Sequence, residues 1–309
     1  MKKSIIHNLN PFNNETNMPA VLYIIKKYLA FILIYAVSAL VGEGIIIGSL
    51  FALGYDPLQG IMPEGQLSEL LPYFGFIVFS TFTVVYCRCV EKKNMKHVGF
   101  NGKPIEYLVG ILVAFVLLTI ILSICCMSNA MDFCGINTNV NIKNILLWIL
   151  AFGIQGATEE IMCRGFLLNT LKKKVSIQIA VLISSTAFVI PHLSSLFEME
   201  FGYAFVGIIN LYLISFIFSN IVLWRSNIWI VCGLHSAWNF ILYVIMGLSL
   251  SGSESTSNGV VSFLIKDASI LNGGKYGIEA SVITTIVLGI VLFVTIKGLK
   301  GRSVKNGIS

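Results

Sequence analysis

The chain has 309 residues, of which 56% are hydrophobic and only 12% charged, with a mean hydropathy of +0.84. Soluble domains carry about a quarter charged residues, so a soluble globular protein is excluded; the apolar residues gather into runs of about 20, the length that crosses roughly 30 Å of hydrocarbon. The formal charge of +6 does not mark a nucleic-acid-binding protein, because the basic residues stand at the ends of those runs, as topology signals do.

Residues 1–27 are expected to form a cytosolic tail, its polar first 19 residues mobile and without a fold signal. Eight spans follow, at about 28–52, 72–90, 107–128, 143–171, 175–197, 203–224, 228–250 and 280–299. Lipid cannot satisfy exposed backbone N–H and C=O groups, so each span should be a helix. The predicted fold is therefore all-α, a polytopic bundle of about eight transmembrane helices over 28–300, closed by a cytosolic tail at 301–309. A cleavable signal peptide at 28–42 would have an unusually long leader, and hydrophobicity resumes after Glu43, so the first span reads as uncleaved. The Ser- and Gly-rich segment 251–279, with a weak apolar patch at 259–265, predicts a loop on the far side, either mobile or a re-entrant cover. No internal repeat is visible, which leaves out the inverted-repeat signature of many secondary transporters.

Charge sorts the connections. Seventeen of the 21 basic residues fall on one side: Lys2, Lys3, Lys26 and Lys27, then Arg88 to Lys103, then Lys172, Lys173 and Lys174, then Arg225, then Lys297 to Lys305. The other side holds Lys143, Lys266 and Lys275 but is rich in acids, including Asp132, Glu198, Glu254 and Asp267. By the positive-inside rule both termini are cytoplasmic, which an even number of spans requires. The odd count of seven cysteines, most of them in or beside apolar runs, implies no disulfide framework, and neither Cys125-Cys126 nor Cys87-x-Cys89 matches a zinc spacing.

Ionisable groups inside a span cost roughly 2.5–3.5 kcal/mol each on insertion scales and are functional hypotheses by default. The fourth span carries Glu159, Glu160 and Arg164 within about two turns. Glu160 and Arg164, four apart on one face, should pair and so offset part of the cost of burial. Glu159 points about 100° away and has no evident partner in the local sequence, as an acid/base catalyst requires. Of the four histidines, His192 and His235 lie inside spans five and seven. Counting 1.5 Å per residue from the basic turn at Lys172, Glu159 and His192 reach similar depths, roughly 20–27 Å, on an antiparallel helix pair. Asn239 follows His235 by four residues, which places two hydrogen-bond donors on one face. Such donors stabilise an oxyanion or serve as an interhelical polar clamp.

These residues resemble the motifs of the CAAX protease and bacteriocin-processing family (CPBP, or Abi), which includes the type II CAAX prenyl endopeptidases. Its E-E-x-x-x-R, F-x-x-x-H and H-x-x-x-N stand here as Glu159-Glu160-x-x-x-Arg164, Phe188-x-x-x-His192 and His235-x-x-x-Asn239, in order and on three spans within 143–245. The resemblance implies an eight-helix intramembrane peptidase with a cavity open to the cytosol. Glu159 and His192 would activate the attacking water, and His235 and Asn239 would stabilise the oxyanion. Glu160 and Arg164 would hold the site together, Phe188 would pack beside it, and Pro191 would bend the fifth span just before His192.

Two cofactor readings stay open. Glu159, His192 and His235 could supply a carboxylate and two imidazoles to a zinc ion with a free fourth position, or the site could work with no metal; there is no H-E-x-x-H helix. The expected partners are the bilayer and a membrane-associated or lipidated peptide, and the Ile-, Asn- and Lys-rich composition points to a bacterial cell membrane. A non-catalytic immunity factor or scaffold of the same fold is the competing reading. Proton-coupled transport is a third, in which Glu43 would be one of the intramembrane carboxylates that carry protons; the plainer account of Glu43 is that Gly42 and Gly44 let close helix packing bury one protonated or hydrogen-bonded acid.

Overall fold

The computed structural model describes residues 5–253 and 259–305. Lys2, Lys3, Glu254 and the last residues of the C-terminal tail, 306–309, lie outside the described residues.

The bundle consists of α1 (Ala20–Ala52), α2 (Gln66–Cys89), α3 (Glu106–Met127), α4 (Ile142–Glu160), α5 (Ile177–Val189), α6 (Phe201–Arg225), α7 (Trp229–Phe240) and α8 (Val282–Lys305). Among the described residues, seven of the spans are long and apolar enough to cross a membrane: those of α1 to α3, α6 and α8, together with α4 extended to Leu171 and α5 extended to Phe197. The eighth, Trp229–Ile245, is shorter. It sits in the middle of the bundle, with Val231 to Asn239 buried, so its sides meet protein instead of hydrocarbon and need not match the bilayer thickness. Lipid-facing stripes are plain elsewhere. Leu108, Leu112 and Phe115 are exposed on α3, as are Ile286, Ile290, Phe293 and Val294 on α8.

Lipid supplies no hydrophobic drive between helices, so close packing and polar contacts must hold them together. Gly233 on α7 lies so near α3 that a β-carbon there would stand 2.0 Å from the carbonyl oxygen of Tyr107. One at Gly156 on α4 would meet the backbone nitrogen of Ser236 at 2.7 Å. These two contacts draw the backbones of α3, α4 and α7 together directly beside the site. Trp148 and Phe152 of α4 stack on each other and meet Tyr73 of α2 and Tyr243 in edge-on and tilted pairs, ring centroids 5.0–5.8 Å apart, each pair worth about 0.5–1.5 kcal/mol beyond its area.

Three expectations change on contact with the structure. The segment before α1 is held in place: the fully buried Lys26 donates to the Asn13 side chain at 2.6 Å and the Glu15 carbonyl at 2.9 Å, and Lys27 pairs with Glu91. Part of the 251–279 segment is ordered as a strand, β2 (Val261–Ile265), which pairs antiparallel with β1 (Met131–Ile136) in the only sheet among the described residues. Glu43 is exposed, because Gly42 is the residue that faces Gly75 of α2, and the buried-acid reading of Glu43 fails.

Candidate active site

Each of the three motifs sits where an α-helix changes its winding. α4 passes into a π-helical segment, Ile161–Leu168, directly after Glu160. α5 tightens into a 3₁₀ turn, Ile190–His192, at Pro191, which has no N–H to continue the α ladder. α7 passes into a second π segment, Ile241–Ile245, directly after Phe240. Such transitions re-aim side chains and recur at functional sites.

Glu160 and Arg164 pair at 2.8 Å, both side chains fully buried. The guanidinium also donates to the Ser215 hydroxyl of α6 at 2.6 Å and its carbonyl at 3.2 Å, and lies over the rings of Phe188 and Phe218, 4.6 and 5.2 Å from their centroids. His235 Nδ1 meets the same Glu160 oxygen at 3.0 Å. A carboxylate oxygen accepts, so Nδ1–H is the donor, which fixes the ring orientation and turns Nε2 towards Glu159, 3.9 Å away.

Glu159 is not without a local partner, as the sequence led us to expect. Gln155, one turn earlier on α4, donates to it at 2.7 Å and accepts from the Asn239 amide at 2.8 Å. The result is one polar chain across three helices, from Asn239 through Gln155, Glu159, His235, Glu160 and Arg164 to Ser215. Gln155 was legible as the i−4 neighbour of Glu159; Ser215, an ordinary serine in an apolar helix, gave no signal.

His192 stands apart from that chain. Its Nδ1 lies 2.9 Å from the Phe188 carbonyl and its ring packs on Phe188 with centroids 5.1 Å apart, leaving Nε2 free. His192 and Glu159 both line a cavity of about 260 Å³ whose other walls include Phe31, Tyr35, Phe76 and Phe79 of α1 and α2. They face a common space with no hydrogen bond between them. His192 also lines a second cavity, of about 170 Å³, together with His235, Asn239, Gln155 and Glu279. The zinc set Glu159, His192 and His235 is not gathered for coordination: among the described residues no group of three or more His, Cys, Asp or Glu is placed to hold a metal ion.

Glu279 is the site residue that the sequence did not disclose. It lies in a 3₁₀ turn, Ile278–Ala280, just before α8, and accepts from Trp238 Nε1 at 3.0 Å and from the Ser251 backbone N–H at 2.7 Å. Burial raises its carboxyl above the ordinary range, against the pull of those hydrogen bonds and the nearby His192.

Residues 141–241 match the family model of the Rce1-like type II CAAX prenyl endopeptidases. This core is similar to the Rce1-like family. The Rce1-like stretch opens at Asn141, whose side chain caps α4, and closes just beyond Asn239, so it takes in all three motifs and both winding changes that flank the glutamates and Asn239. No curated protein sequence matches the chain significantly. The Rce1-like family is a protease family, and with its membrane-length helices the chain is an integral multi-pass membrane protein.

Proposed function

We propose that the protein is an intramembrane endopeptidase that hydrolyses a peptide bond in a membrane-associated or lipidated peptide. The observation that carries this reading is the separation of the two glutamates: Glu160 is locked between Arg164 and His235, while Glu159 shares an open cavity with His192. A water held between Glu159 and His192 loses one proton to Glu159 as it attacks the scissile carbonyl, His192 accepting its other O–H as a hydrogen bond, and Glu159 passes that proton to the amine nitrogen as the C–N bond breaks. Asn239 carries two amide protons, of which Gln155 takes one, and the other serves the oxyanion beside His235. Glu160, Arg164 and Phe188 keep these groups in place. The basic-residue distribution puts both termini in the cytosol of what we take to be a bacterial cell, and no step is assigned to a metal.

Incubating the purified protein in lipid nanodiscs with membrane-partitioning peptides in ¹⁸O-water tests the reaction. The reading predicts one ¹⁸O in each new carboxyl terminus and cleavage that survives a zinc chelator. Loss of cleavage on chelation would restore the Glu159, His192 and His235 zinc site. No cleavage of any peptide would favour the alternative, a non-catalytic immunity factor or scaffold, for which the closed Asn239–Gln155–Glu159 chain is a purely architectural clamp.

A further inference from the structure

The second cavity has an end that the proposed chemistry leaves unused. Glu279 is the one carboxylate among the described residues that line it. A carboxylate offers roughly four lone-pair sites. Here Trp238 occupies one oxygen, and the backbone N–H and the more distant hydroxyl of Ser251 occupy the other, so acceptor capacity remains on the Trp238 side. Beside it on α6 is Asn210, buried and also lining the cavity. Its amide nitrogen is pinned by the carbonyls of Glu279 and Ser281, at 2.8 and 3.0 Å, so the identity of the oxygen is not in question. That oxygen has no hydrogen-bond partner. A buried acceptor left unpaired is costly, and an intact polar network does not carry one without reason.

We propose that this end of the cavity is a cation subsite, in which the Glu279 carboxylate, backed by the unpaired Asn210 amide oxygen, receives a protonated amine or guanidinium of the peptide substrate. The inference rests on the peptidase reading and narrows its substrate to peptides with a Lys, an Arg or a free α-amine close to the scissile bond. Both groups are acceptors, so a neutral apolar side chain would leave the Asn210 oxygen and the spare capacity of Glu279 unused, and an acidic one would meet a like charge. His192 and His235 line the same cavity, which places the subsite next to the reacting groups. The apolar first cavity, walled by Phe31, Phe76 and Phe79, would take the hydrophobic part of the same peptide.

The test uses the full-length protein in nanodiscs and a set of membrane-partitioning peptides, each made in Lys, norleucine and Glu versions at positions along an apolar core. Binding is read on Glu159→Gln and cleavage on the wild type. The subsite predicts that at one position Glu159→Gln binds the Lys version about tenfold more tightly than the norleucine version, and that adding Glu279→Ala erases the difference. Equal binding, or a Lys preference that survives Glu279→Ala, would overturn it. Should Glu279→Ala fail to accumulate, competition on the wild type decides. Hexylamine should displace the Lys peptide at about tenfold lower concentration than hexanol, and equal displacement would remove the subsite. A Lys preference in binding with no wild-type cleavage supports the subsite while retiring the peptidase reading; cleavage blind to charge does the reverse.

Discussion

Glu159 and Glu160 are neighbours in the chain and opposites in the structure. The Glu160 side chain is fully enclosed, with Arg164 and His235 on one oxygen; the Glu159 side chain is 17% exposed, bordering a cavity and held by one neutral amide. A rotation of about 100° around α4 separates them. The lesson is that the two acids of a paired motif need not act alike. Burial and ion pairing make one carboxylate a fastener, and an open wall leaves the other facing the cavity.

The sharpest way to break this comparison is to remove the fastener. Glu160→Ala leaves Arg164 and its charge buried with no counterion, which should destabilise the protein by roughly 3–5 kcal/mol and abolish accumulation in the membrane; near-normal accumulation would show that Ser215 alone can hold the guanidinium. Asn239→Ala sits at the border between fastening and chemistry. It should lower kcat by about 10²–10³-fold, as loss of an oxyanion donor does, with KM nearly unchanged, and a fall in stability without a kinetic effect would move Asn239 to the structural side. Gly233→Ala touches neither glutamate but places a methyl group against the Tyr107 carbonyl on α3. A loss of about 1–3 kcal/mol is expected from such overpacking, read as a lower thermal midpoint, with the activity of the folded fraction retained.

The smallest effect lies far from the site. His97 is in the short helix Met95–Val98, with Lys173 of the α4–α5 turn at 3.0 Å from its ring. Burial first, then the charges of Lys173, Lys93 and Lys172, push its pKa down to about 4. The folded form holds His97 neutral, so its contribution is complete above the ordinary histidine value near 6.5 and is lost as pH falls from there towards 4. Amide exchange in this turn, corrected for intrinsic rates, should therefore speed up from pH 7 to pH 5, and His97→Gln should remove that change.

Much of this was legible in the sequence because membrane insertion leaves few options. An apolar run of about 20 residues must be a helix, and all eight predicted runs are helical, seven of them of membrane-crossing length, with the start of α1 read late because Lys26 and Lys27 look like a boundary yet lie buried inside the helix. The i, i+4 pairing of Glu160 with Arg164 followed from helical spacing alone. What spacing could not show was winding: the π segments after Glu160 and Phe240 re-aim side chains that an ideal helix would place elsewhere. Nor could it show partners brought in by tertiary structure. Ser215 and Glu279 lie 51 and 41 residues from Arg164 and Trp238, the residues they bond, and a single acid in a polar loop carries no mark of a place in a cavity wall.

The most direct test of the account is the activity of Glu159→Ala compared with wild type and Glu160→Ala, in cells scored for peptide processing or immunity, with membrane levels measured in parallel. Glu159→Ala should accumulate like the wild type and lose at least about 10²-fold in activity, as removal of a general base does, while Glu160→Ala should not accumulate. A Glu159→Ala protein that is both abundant and fully active would contradict the catalytic assignment and leave the motif as architecture.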